Sequence, residues 1–170
     1  MLNNCMSPSI ALLSIQHEYS NMIFEGVKQV ELRRVRPRSL GSGDLIIVYA
    51  TSPQKEVVGI VEVDQVIENT PDQLWEMVKD KAGISHQDFL NYFLDSSIGF
   101  GIFIKKFHRF KQPLSLTNLK ERWKNFHPPQ CYKYLSDYEL SLFEDMTRFN
   151  IVDFSGKSVG CFQPEIIAAV

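Results

Sequence analysis

A chain of 170 residues has room for one domain core and a short appendage, not for two ordinary cores. With 44% hydrophobic and 22% charged residues, it is neither wholly disordered nor collagen-like nor a coiled coil. The net charge of -2 conceals two basic segments: Lys28, Arg33, Arg34, Arg36 and Arg38 against Glu31 alone, and Lys105, Lys106, Arg109 and Lys111 with no acid. Such segments in an otherwise acidic chain are candidates for one anion-binding surface.

The apolar runs are too short to cross a bilayer, and the N-terminus lacks the basic, apolar, small-residue order of a signal peptide, so no membrane is expected. Cys5, Cys131 and Cys161 lie far apart with no C-x-x-C pair. That argues against a disulfide framework or a zinc site and for a cytoplasmic protein.

Along the chain, Ile10–Ile15 reads as a buried strand and 17–24 as a helix stopped by Gly26. Residues 29–34 alternate, with Val30 and Leu32 on one face and Gln29, Glu31 and Arg33 on the other. An arginine-rich loop with Pro37, Gly41 and Gly43 follows. Residues 45–50 are apolar on both faces and predict a central strand. Residues 57–67 predict a long, curved strand with Gly59 as a bulge.

Thr70-Pro71-Asp72-Gln73 and Ser85–Asp88 are helix starts, the first with Thr70 as cap. Strand returns at 98–107. Residues 111–135 look irregular, with one helical turn around 116–124, and Ser136-Asp137-Tyr138-Glu139 opens a helix to about Thr147. Strands 10–15, 29–34, 44–50, 57–66 and 99–107 are expected in one curved, mixed sheet closing into a small barrel, with the helices of 71–95 outside it.

P-loop, H-E-x-x-H, G-x-S-x-G and calcium-loop patterns are all absent, so no metal or cofactor is expected. The histidines are isolated, and Cys131 reads as a packed thiol. The segment from Gly26 to Arg33 stands apart. Glu31 and Arg33 share a face two residues apart, and Lys28 sits at the strand mouth. One reading is an exposed edge strand with a solvated ion pair. The other is a polar pocket wall, with lysine for a phosphate or carbonyl, glutamate for amine donors and arginine for a bidentate acceptor. Strict alternation puts Lys28 on the face opposite Glu31, so the pocket requires a bend near Lys28.

"GVKQVELR" resembles the G-x-K-x-x-E-x-R signature of ASCH domains in the PUA-like superfamily. The likeness continues through "GDLIIVYATSPQKEVVGIVEV" (43–63), "LWEMV", "NYF" and "HPPQCYKYL" (127–135), which are similar to the larger, predicted-regulator type. It covers about residues 10–136 and implies an ASCH/PUA-like domain over 1–147, followed by a tail over 148–170.

The implied fold is α+β, a barrel of about five or six strands with helices around it. The implied function is an RNA- or nucleobase-binding module, regulatory in transcription, translation or RNA metabolism. Lys28, Glu31 and Arg33 would line its cleft, with the turn Tyr49–Ser52 beside them, and Arg34, Arg36, Arg38, Lys105, Lys106 and Lys111 would form a basic rim for phosphates. Tyr49, Tyr92 and Phe107 are available for stacking on bases. The alternative is a small hydrolase with Lys28 and Glu31 as acid–base pair, either a ribonuclease or an acetylated-nucleoside amidohydrolase. In the amidohydrolase branch of the family a threonine stands where this chain has Glu31, so the hydroxyl nucleophile is missing here.

Overall fold

The structure, a computed structural model, describes residues 8–156. Its elements run β1 (Ile10–Ile15), α1 (His17–Phe24), β2 (Val30–Arg33), β3 (Leu45–Ala50), β4 (Glu56–Asn69) and α2 (Pro71–Val78). They continue with α3 (His86–Tyr92), β5 (Gly99–Ser115), α4 (Leu116–Arg122), β6 (Tyr132–Tyr134), α5 (Asp137–Thr147) and α6 (Ile151–Gly156). The strands form one sheet in the order β2-β5-β4-β3-β1-β6, curled into a half-barrel. β1 and β3 pair in parallel, and the other neighbours are antiparallel. This is the mixed α+β sheet that the sequence predicts. Its edge strands β2 and β6 are not paired with each other, so the backbone ladder stops short of a closed barrel.

The sheet's two faces carry two cores, because neighbouring residues of a strand point in opposite directions. Ile10, Leu12, Leu45, Ile47 and Tyr49 pack on one side with Phe110, Phe143, Ile151 and Phe154. Leu13, Ile15, Ile46, Val48 and Ala50 pack on the other with Ile23, Phe24 and Leu40. A third cluster joins Val30 and Leu32 to Leu74, Val78, Phe89 and Phe93, which seats α2 and α3 against β2. β3 is buried along its whole length, as a run apolar on both faces requires.

The pairing register of β4 shifts between Val57 and Gly59. A Cβ at Gly59 would lie 2.4 Å from the His108 carbonyl oxygen and 2.5 Å from the Phe24 ring, so only glycine fits the bend. Ser85 caps α3, its Oγ accepting from Asp88 N at 3.1 Å, and Ser136 and Glu139 complete a reciprocal capping box on α5. Thr70 occupies the cap position of α2 but its side chain makes no capping bond. Pro71 at the first helical position removes one of the unpaired N–H groups of that turn.

Two segments differ from the sequence expectation. β5 runs through Pro113 to Ser115, because Leu114 and Ser115 pair with Val57 and Glu56, while Pro113 falls in the register break. Residues 132–134, expected to be irregular, form β6 against β1. A three-residue strand has too little pattern to be recognised without its partner. Residues 148–156 continue from α5 into α6, whose Ile151 and Phe154 enter the first core. Cys5, Cys161 and the rest of the expected tail lie outside the described residues. No described helix is long and apolar enough to cross a membrane.

Candidate functional site

The bend required near Lys28 is present. Gly26 takes a φ of 79°, and Lys28 N donates to Met22 O at 3.0 Å, so the chain is still turning off α1 when it reaches Lys28. β2 begins only at Val30, which frees Lys28 from strand alternation. Its ammonium donates to Ala82 O at 2.7 Å and stands 3.6 Å from Glu31 Oε2 and 5.0 Å from the centre of the Tyr19 ring. Glu31 and Arg33 share a face of β2, and Glu31 Oε1 lies 3.1 Å from Arg33 Nη2. The same Nη2 donates to Ser14 O of β1 at 2.9 Å, and Nη1 meets the sulfur of Cys131 at 3.9 Å. Arg33 thus ties β2 to β1 across the gap that the backbone ladder leaves open.

These three charged groups form part of the wall of a cleft of about 640 Å3, within the range of sites that enclose a small ligand. Ser14 of β1, Tyr19 of α1, Thr51 after β3, Asp88, Asn91 and Tyr92 of α3, and Gln130 before β6 complete much of the lining. Burial pulls the Lys28 pKa below the usual lysine range, and the Glu31 carboxylate opposes that pull. Burial also raises the hydroxyl pKa of Tyr19, with the Asp88, Glu18 and Glu31 carboxylates adding to it. The Tyr92 hydroxyl, which donates to Leu32 O at 3.3 Å, is raised chiefly by burial as well. The cleft therefore offers the Lys28 and Arg33 donors, the Glu31 side chain between them and two phenols that burial keeps protonated. Among the described residues, no cluster of His, Cys, Asp or Glu could hold a metal ion.

Of the arginine-rich loop, Arg34 is exposed and lies over the Tyr92 ring at 5.2 Å, beside the cleft. Arg36 and Arg38 are also exposed. The loop backbone at Arg38 is held by β6: Arg38 N donates to the Tyr132 hydroxyl at 3.2 Å, and the Tyr134 hydroxyl donates to Arg38 O. The loop so reaches from the end of β2 to β6.

The second basic segment does not join the cleft lining. Lys106, expected on the rim, is buried, because its ammonium pairs with Glu62 Oε2 at 2.9 Å and donates to Phe154 O of α6 at 2.7 Å. Lys105 is exposed but bound to Glu62 Oε1 at 2.8 Å. Lys111 is exposed, away from the lining.

Tyr49, expected beside the pocket, is 3% exposed in the first core, since its side of β3 faces Ile60 and Phe110. In the turn it leads to, Thr51 is the residue that lines the cleft, while Ser52 is exposed to solvent outside it. Of the other stacking candidates Tyr92 lines the cleft, whereas Phe107 packs edge-on against Phe24. Two overlooked contributions have a visible signal. Ser14 interrupts an otherwise apolar strand, and Asp88 and Asn91 are polar residues at i, i+3 on one helix face.

The ASCH domain family model matches residues 13–134. An "ASCH domain-containing ribonuclease" of Zymomonas mobilis is 31% identical over 137 residues, covering 81% of this chain and 91% of that protein. The crystal structure of ASCH from Zymomonas mobilis superposes with a TM-score of 0.75 at 29% identity, covering 81% of this chain and 95% of the other. The N-terminal domain of Staphylothermus marinus McrB shares the fold alone, with a TM-score of 0.51 at 12% identity over 85% of this chain and 98% of that one.

Proposed function

The chain belongs to the ASCH domain family, and from that premise we propose that its cleft binds RNA, with a nucleotide seated over Lys28, Glu31 and Arg33. The observation that carries this reading is the pair of buried cations sharing one carboxylate in the cleft wall, with Arg34 at its edge. Arg34, Arg36 and Arg38 then supply phosphate contacts with release of counterions, and Tyr19 and Tyr92 supply ring surface for bases. In the same reading the protein is a cytoplasmic regulator acting in transcription, translation or RNA metabolism. The dispersed cysteines support the compartment, and Glu31 in place of a nucleophile supports binding over amide hydrolysis.

Fluorescence anisotropy with labelled single-stranded RNA tests the proposal. Log affinity is expected to fall against log salt with a slope of about 0.7 per contacted phosphate. Lys28→Ala and Glu31→Gln are expected to weaken binding while circular dichroism stays native. No binding at low salt sinks the proposal.

A second reading, ribonuclease, is supported by the likeness to the ASCH domain-containing ribonuclease of Zymomonas mobilis. Glu31 would be its base and Lys28 its hydrogen-bond donor to the phosphate. Both Glu31 oxygens already face cations, so proton abstraction would require one ion pair to open. Turnover of RNA that is lost in Glu31→Gln, with binding intact, decides for the enzyme. Acetylcytidine hydrolysis is expected to be absent in either case.

A further inference from the structure

The charge balance of the cleft wall narrows the ligand further. With Lys28 protonated, as its pairing with Glu31 favours, Lys28 and Arg33 bring two positive charges and Glu31 one negative, on side chains 3%, 10% and 10% exposed. Water stabilises an excess charge poorly at such positions. Asp88 also lines the cleft, but it is exposed and accepts from Ser85 Oγ at 2.6 Å. Its carboxylate therefore disfavours a second negative charge at the mouth without neutralising the buried excess. Donors also outnumber acceptors. A guanidinium has five N–H groups. Among the described residues, Arg33 Nη2 is bonded to Ser14 O and paired with Glu31, Nη1 meets the Cys131 sulfur, and the buried Nε has no acceptor. The missing partner is one negative charge carrying acceptor oxygens.

Resting on the RNA reading of this cleft, we infer that the Lys28–Glu31–Arg33 cluster takes an internal phosphodiester of the strand, in preference to a terminal phosphate. A backbone phosphodiester carries one charge and presents two non-bridging oxygens to a guanidinium fork. A phosphomonoester carries about 1.5 to 2 negative charges at neutral pH, and the second is unmatched here and faces Glu31 and Asp88. The cleft on this account engages the strand away from its ends.

The test titrates the full chain, by NMR, with four dinucleoside monophosphates (ApA, CpC, GpG and UpU) and their uncharged methylphosphonate analogues. Nucleoside 5′-monophosphates and inorganic phosphate are the competing arms. At least one dinucleoside monophosphate should bind, with its methylphosphonate weaker by about 10- to 100-fold, as for loss of a charge-assisted hydrogen bond. The 5′-monophosphates and inorganic phosphate should bind less tightly than the diester. Arg33→Lys, which keeps the charge and loses the fork, should weaken diester binding while leaving the charge-based part of its preference over methylphosphonate. Because the ligand-side comparison uses the unaltered protein, it stands even if that variant misfolds. Equal binding of diester and methylphosphonate, or tighter binding of a monophosphate, overturns the inference, as does failure of every dinucleotide to bind. Longer single-stranded RNA run in parallel separates the two proposals. If it binds while the diester preference is missing, only this inference falls; if it too fails, the RNA reading falls with it.

Discussion

Two clusters of the same composition, a carboxylate between two cations, sit on this sheet and do different work. Around Glu62, Lys106 is bonded to the carbonyl of Phe154, and Lys105, 54% exposed, keeps its charge in water. That cluster fastens β4 and β5 to α6. Around Glu31 both cations are buried, and all three groups line a cleft. The difference teaches that composition does not mark a site. What sets the Glu31 cluster apart is that both of its cations are buried in the wall of a cleft, the feature on which the RNA proposal rests.

The largest expected effect separates the clusters by stability. Lys106→Met strands Phe154 O and leaves Glu62, among the described residues, to the exposed Lys105, so urea unfolding should register a loss of about 3–5 kcal/mol. RNA affinity of the folded protein should be unchanged. Lys28→Ala should reverse the pattern, with RNA affinity falling about 10- to 100-fold as a charge-assisted bond is lost. Each substitution strands one carbonyl, Ala82 O in this case. The stability loss of Lys28→Ala should still be the smaller of the two, because Glu31 keeps a buried partner, Arg33, where Glu62 keeps an exposed one. If Lys28→Ala merely unfolds the protein and Lys106→Met abolishes binding, the comparison is inverted.

A pH series sharpens it. Burial raises the Glu62 pKa, but the hydrogen bonds from Lys105 and Lys106 outweigh it and hold the group below its usual 4.5. A depressed folded-state pKa means that the folded protein binds fewer protons there than the unfolded chain. The stabilisation is therefore complete above 4.5 and is lost as pH falls through that value and below. Urea midpoints measured from pH 6 to pH 3 should fall more steeply for the parent than for Glu62→Gln. The smallest effects belong to the exposed arginines. Arg36→Ser and Arg38→Ser should change stability by about 0.5 kcal/mol or less. Each should lower the salt slope of RNA binding by about 0.7 without altering sequence preference.

Part of this was legible beforehand. The alternation at 29–34 placed Glu31 and Arg33 on one face, and β2 keeps that arrangement. The position of Lys28 was not legible, since alternation sends it to the other face and only the turn after Gly26 returns it. Tyr49 fell to the core for a related reason. Period-2 patterning says which residues share a face of β3 but not which face meets the cleft, and that depends on α5 and α6 packing against one side. The basic segment at 105–111 misled because its counter-charge, Glu62, comes from a neighbouring strand more than 40 residues away in the chain.

By itself, then, the sequence determined what short-range physics controls: the central strand β3, the glycine bend in β4, the serine caps of α3 and α5, and the polar face of β2. Tertiary structure alone decided which charges line the cleft. The role of a charged side chain is set by its burial and its partners, and here those partners arrive from distant elements: Ser14 for Arg33, Ala82 for Lys28 and Phe154 for Lys106.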